Sequence, residues 1–139
     1  MLLTQGQKGQ IITFLHDKIP NLQALYLFGS QSDKSAGRGS DVDIAYVSQD
    51  SLSALERWEV SQKLASRLLK DVDLIDLKET NTIFRFQIVS TGERMYGGGY
   101  ETEMFEMLAY SFYLRFQEER RSIVDTIKRD GSVLGEAYA

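Results

Sequence analysis

Gly29 and Ser30 close one apolar run, and ten residues later Asp41 and Asp43 open another. A glycine at the end of a strand lets the backbone approach a ligand closely. A serine beside it offers a hydroxyl and an N–H, and a following helical turn would aim further N–H groups at an anion. That is chemistry for holding phosphate. Taken alone, Gly-Ser is also an ordinary strand-to-helix turn with a serine cap. Asp41 and Asp43 stand two apart, so on a strand both carboxylates point to one face, and Val42, Ile44 and Tyr46 point to the other. Paired carboxylates repel unless a cation sits between them. Carboxylate and phosphate oxygens together are the ligands Mg²⁺ prefers. Taken alone, Asp-x-Asp is a solvated acidic pair. A third acidic segment, Asp71-Val72-Asp73-Leu74-Ile75-Asp76, places Asp71 and Asp73 on one face and Asp76 on the other. If it lies beside the second strand, Asp73 completes a carboxylate triad; Asp76 is the alternative if the register is reversed. Such a triad can hold two metal ions that polarise a phosphoryl group and support leaving pyrophosphate.

The rest of the chain offers few competitors. Cysteine is absent, which excludes disulfides and thiolate metal sites. A single histidine, His16, leaves almost nothing for His-based triads or zinc sites, and its place on a helix marks it as a surface or boundary residue. There is neither a G-x-x-x-x-G-K-[ST] loop nor a G-x-G-x-x-G turn. With 16 basic against 20 acidic side chains the net charge is −4, which argues against a broad nucleic-acid footprint. The longest uninterrupted apolar run, Ala24 to Phe28, is far too short to cross a membrane, and the first ten residues do not resemble a targeting signal. The expectation is a cytoplasmic protein with no membrane or direct nucleic-acid partner.

The elements that must position these residues follow from periodicity. Ile11, Ile12, Leu15 and Ile19 share one face of a helix over Thr4 to Lys18, stopped by Pro20-Asn21. Leu22 to Phe28 reads as a strand buried on both faces. Asp41 to Val47 is a second strand. A helix over Leu52 to Leu69 turns Leu52, Leu55, Leu64 and Leu68 inward. Val72 to Leu77 is a third strand, Thr82 to Ser90 a short helix, and Gly92 to Tyr96 a short last strand. After the Gly97-Gly98-Gly99 break, Glu101 to Arg129 forms one long helix ended by Gly131, with a frayed tail. The fold class is therefore α/β, in the α+β sense: a short mixed sheet of about four strands with packed helices and a long C-terminal helix. One domain spans 1–139, with a catalytic module over about 1–97 and a C-terminal interaction helix over about 101–129. Trp58 and the aromatics at helical spacing read as core or interface, and Glu118 to Arg121 with Lys128-Arg129 as a solvated helix face.

Phe28-Gly29-Ser30, ten residues, then Asp41-x-Asp43 resembles the G-S-x10-D-x-D signature of minimal nucleotidyltransferases of the DNA polymerase β superfamily. Ser40, just before the first aspartate, fits it, and V-D-L-I-D-L resembles the segment supplying that family's third carboxylate. The resemblance covers roughly Leu22 to Tyr96. It implies a nucleotidyltransferase fold, ATP as substrate and Mg²⁺ as cofactor. It also implies phosphate contacts at Gly29, Ser30 and Ser40, and metal-binding and catalytic roles for Asp41, Asp43 and Asp73. Many members carry Arg-Ala-Arg-Gly after the serine; here the loop reads Gln31-Ser32-Asp33-Lys34, which leaves Lys34 or Arg38 as the cation.

The acceptor hydroxyl is a separate question. Larger superfamily members hold it in a further domain, and the residues after Gly99 leave little room for one. The last helix carries more aromatic and Met side chains between Met104 and Phe116 than a single buried stripe needs, a composition enriched at interfaces. Small proteins of this kind are similar to the antitoxins of HEPN–MNT toxin–antitoxin pairs. That resemblance implies a protein adenylyltransferase that attaches AMP from ATP to a tyrosine of its partner, a HEPN-domain RNase toxin. Two alternatives remain open at this point. One is a small-molecule, aminoglycoside-type nucleotidyltransferase whose acceptor pocket forms in a homodimer. The other is a non-catalytic antitoxin that blocks its partner stoichiometrically.

Overall fold

The computed structural model describes residues 2–29 and 41–129. Helix α1 (Gln5–Lys18) starts at Thr4, whose hydroxyl accepts from the Gln7 N–H while the Gln7 side chain accepts from the Thr4 N–H. This reciprocal pair satisfies two of the amides left unpaired at any helix start. Strand β1 (Leu22–Phe28) leads to the undescribed 30–40 segment and then to β2 (Val42–Ser48). Helix α2 (Ala54–Leu68) opens with the same device, Ser53 with Glu56. Strand β3 (Val72–Asp76), a 3₁₀ turn over Leu77–Glu79, α3 (Thr82–Thr91), β4 (Glu93–Tyr96) and α4 (Gly99–Arg129) complete the order.

The four strands form one mixed sheet in the order β3-β2-β1-β4. β1 pairs antiparallel with both β2 and β4, and β2 pairs parallel with β3 across the α2 crossover. Both faces are covered, which is why β1 lacks the polar alternation of a half-exposed strand. On one face α1 and α2 bury Ile11, Leu15, Leu25, Leu27, Val42, Ile44, Tyr46 and Leu64. On the other, α3 and the start of α4 cover Ala24, Tyr26, Ala45, Val47 and Ile88.

This is the mixed sheet with a long final helix that the periodicity implies, with boundaries moved by a residue or two. One expectation needs correction. Leu55 is 65% exposed, because the inward face of α2 is set by Val60, Ser61, Leu64 and Leu68, and Leu55 lies on the opposite side. Of the two readings of Trp58, core or interface, its 59% exposure leaves interface. The expected stop at Gly131 and the frayed tail lie outside the described residues.

Helix α4 is held along its first half, by polar bonds near its start and by Tyr110 and Tyr113 packed on Phe86 of α3. The Gln23 side chain donates to Glu101, and Thr102 donates to the Gln23 carbonyl. The Tyr26 hydroxyl donates to Glu106 at 2.8 Å, and Arg94 reaches the same carboxylate at 3.0 Å. From Glu118 to Arg129 every residue but Ile127 is exposed. Tyr26 is the buried end of this anchor; burial and the Glu106 acceptor push its hydroxyl far above the ordinary tyrosine range. Tyr26→Phe leaves Glu106 its Arg94 partner and removes one hydrogen bond at the root of α4. It should cost about 1 kcal/mol, read as a melting temperature lowered by about 3–5 °C.

Candidate active site

The candidate residues converge where β1 ends and β2 and β3 begin. β1 runs out at Phe28, which faces Asp43 across the antiparallel pair, and Asp43 in turn stands level with Asp73 on the parallel side. Asp43 and Asp73 are therefore in-register neighbours on the sheet face shared with Ala45 and Ile75, and Val42, Ile44 and Leu74 point into the opposite core. Asp41 lies just before β2 and is exposed.

Gly29 closes the site on the β1 side. Its φ is +69°, a left-handed conformation that glycine adopts without steric cost. A Cβ built there would stand 2.4 Å from the Asp43 Oδ2 atom. The backbone and the carboxylate thus approach as closely as they do because residue 29 has no side chain. Burial first, then the charges of Asp73 and Asp41, push the Asp43 carboxyl above its ordinary range.

Asp76, the alternative third carboxylate, has a different task. It is 3% exposed on the far face, where it accepts from the Lys78 N–H at 3.0 Å and from the Tyr46 hydroxyl at 3.4 Å. It caps the 3₁₀ turn from a buried position. Asp73 is the exposed member, on the Asp43 face. Ser30, Ser40, Lys34 and Arg38 lie outside the described residues.

The donor set is chemically suited to a hard divalent cation: carboxylates on adjacent strands, one of them strained by the charge of the others. Among the described residues no three acidic or His side chains are already gathered closely enough to hold a metal.

One feature escaped sequence reasoning. Phe84 on α3 meets Phe28 edge-on, with centroids 5.8 Å apart, and its ring is exposed on the sheet face that carries Asp43. The sequence marks it only as an apolar residue near a helix start; the contact depends on α3 folding back over β1. A larger groove of about 800 Å³ lies between α1 and α2 on the opposite face and contains none of the three carboxylates.

Known proteins match most of the chain. Residues 9–98 match the family described as Polymerase beta, Nucleotidyltransferase. The protein adenylyltransferase MntA of Shewanella oneidensis is 42% identical over 125 residues, 90% of each chain. A solved toxin–antitoxin complex with AMP-PNP contains a chain 42% identical, with a TM-score of 0.77, covering 87% of this chain and 98% of that one. A chain in the complex of tri-AMPylated Shewanella oneidensis HEPN toxin with MNT antitoxin is 40% identical, with a TM-score of 0.74, covering 91% and 99%.

Two outcomes follow from the geometry. Gly29→Ala should cost about 1–2 kcal/mol from the left-handed backbone alone and should displace the Asp43 side chain, read by calorimetry and by a changed Asp43 carboxyl NMR signal. Asp43→Asn should raise the melting temperature of the ligand-free protein at pH 7. The folded chain binds the Asp43 proton more tightly than the unfolded chain does. Ionising it therefore costs no stability below about pH 4, and the cost grows as pH rises through the raised folded value. The advantage of Asn should accordingly close as the pH is lowered towards 4.

Proposed function

The chain belongs to the polymerase beta nucleotidyltransferase family, and from that premise we propose that it is an antitoxin with protein adenylyltransferase activity. It would transfer AMP from ATP to a tyrosine of a partner HEPN-domain RNase toxin and so inactivate it. The observation that carries this reading is the 42% identity over nine-tenths of the chain to a protein adenylyltransferase, joined to the in-register Asp43–Asp73 pair against Gly29. The AMP-PNP complex of a similar chain supports ATP as substrate.

In this mechanism the Gly29 backbone and the Ser30 and Ser40 hydroxyls hold the triphosphate, and Asp41, Asp43 and Asp73 would hold Mg²⁺, which when bound would supply charge neutralisation for the phosphoryl group and the leaving pyrophosphate. Phe28 and Phe84, packed edge-on, flank Asp43 on this sheet face. Asp73 takes the proton from the acceptor tyrosine, whose hydroxyl, with a pKa near 10, is a poor nucleophile at neutral pH. The phenolic oxygen forms a bond to the α-phosphorus as the bond to the β-phosphate oxygen breaks, giving tyrosyl-AMP, pyrophosphate and a proton on Asp73.

We assign two tasks to the two parts of the chain. The sheet and its helices up to Gly97 carry the chemistry, and α4 carries partner contact. Met107, Leu108, Tyr110, Phe112, Leu114 and Phe116 on α4 are all exposed. Met104, Phe105 and Tyr113 are partly committed to the chain's own fold, Tyr113 stacking on Phe86 at 3.8 Å. Stoichiometric blocking without chemistry is disfavoured by Asp43: a carboxylate that costs stability when ionised has no reason to be kept in a purely structural protein.

Co-expression with the HEPN toxin followed by intact mass spectrometry tests the reading. The toxin should gain one or a few AMP units. An Asp41→Asn, Asp43→Asn double variant should add none, a loss of at least about 10³-fold, or roughly 4 kcal/mol of transition-state stabilisation. A toxin that this double variant neutralises without modification would establish blocking instead. Asp73→Asn should slow transfer far more than it weakens ATP binding.

A further inference from the structure

We propose that the free edge of β3 is the docking strand for the acceptor segment, which adds to the sheet as a fifth strand and thereby brings its tyrosine beside Asp73. The inference rests on the adenylyltransferase reading above and says how the acceptor is held.

β3 is the outermost strand at its end of the sheet, and among the described residues no strand lies beyond it. The phase of its backbone is fixed by the Val42 N–H, which donates to the Asp71 carbonyl at 2.8 Å. In a parallel ladder alternate residues turn their amide and carbonyl to the same neighbour. Asp71, Asp73 and Ile75 thus bond towards β2, and Val72 and Leu74 present their N–H and C=O outward. An open row of this kind is a template for another extended chain. A groove of about 300 Å³ follows this edge from Asp73 to Asp76, with Arg57 and Glu79 as its wall.

On α2, Arg67 lies over the Phe14 ring of α1 at 4.7 Å, and Leu64 and Leu68 point into the core. Helical spacing puts Trp58 and Ala65 on the opposite flank, and Leu69 stands at the C-cap, three residues before β3 begins. Trp58 is 59% exposed and Leu69 89%. Leu69 also adopts a left-handed conformation, φ 56° and ψ 39°, at the helix C-cap, a place where glycine is the unstrained choice. A large apolar side chain is held out to solvent there at a conformational cost.

The charges select the occupant. Asp71, Asp73 and Glu79 are exposed around this edge; of the cations near it, Arg57 is paired with Glu79 at 3.3 Å, Lys78 donates to the Ser48 carbonyl, and Lys70 precedes Asp71 at half-buried depth. A second copy of this chain pairing here would bring acidic strand against acidic strand. The fitting occupant is an extended, basic, tyrosine-bearing segment of the partner toxin. Because side chains alternate, the tyrosine faces the Asp43–Asp73 side, and its immediate neighbours, apolar for this fit, face Trp58 and Leu69.

The test uses the full chain with the HEPN toxin. Hydrogen exchange of the peptide covering Val72 to Asp76 is followed with AMP-PNP present, with and without toxin. Transfer kinetics are compared for wild type and a Trp58→Ala, Leu69→Gly double variant. The Leu69→Gly single variant should melt higher than wild type, which separates docking from damage to the fold. Expected are slowed exchange at Leu74 on adding toxin and a KM for toxin raised about tenfold in the double variant, with kcat and ATP affinity unchanged. AMP transfer with unaltered exchange at β3 and an unaltered KM would overturn edge docking and leave the adenylyltransferase reading standing. No AMP on the toxin with wild-type protein would overturn both.

Discussion

Everything at the candidate site hangs on two carboxylates held level on neighbouring strands. Asp43 and Asp73 are opposed by the register of a parallel pair, so their repulsion cannot be relieved by sliding one strand past the other without turning Leu74 out of the core. The close approach of Gly29 presses on Asp43 from the third side. The raised affinity of Asp43 for a proton is the thermodynamic trace of that confinement. A site built this way is poorly satisfied on its own and is completed by positive charge.

The sheet makes such confinement tolerable by dividing its faces. The α1–α2 face is a closed apolar core, and its most polar element, the Tyr46–Asp76 contact, is buried with its partners. That side supplies the stability which the strained corner draws on. The α3–α4 face carries Asp43 and Asp73 together with the root of α4, so α4 starts from the sheet face on which the carboxylates point. Polar bonds concentrate at the inner end of α4, from Glu101 to Glu106, and its exposed apolar side chains lie further out. The helix is fixed in direction without being covered.

Much of this was legible in the sequence, and the reasons are specific. β1 could be read residue for residue because a charge-free run bounded by Asn21 and Gly29 has one simple explanation. Asp41-x-Asp43 declared its facing through the apolar residues between and after it. The choice of Asp73 over Asp76 was left to register, and register is a property of two strands that neither displays alone. Leu55 was misplaced because a leucine near a helix start fits an apolar stripe on spacing, and the true stripe is set by which flank α1 occupies. Phe84 was invisible as a site residue because its role comes from α3 folding back onto β1. No local signal carries that contact.

An open sheet edge is normally a hazard, since identical chains can join along it and grow into aggregates. Here the residues along β3 are guarded by their own charge. Two copies meeting edge to edge would place Asp71 and Asp73 of one against the acidic strand of the other, within a few ångströms and with no cation supplied. β4, the strand at the opposite edge, is four residues long and begins with Glu93 and Arg94. The acidic residues proposed to carry the chemistry thus also oppose edge-to-edge growth of the sheet. A charge-removing change at Asp73 would trade away colloidal stability together with reactivity, so such a variant needs its solubility measured before its loss of activity is read as chemistry alone.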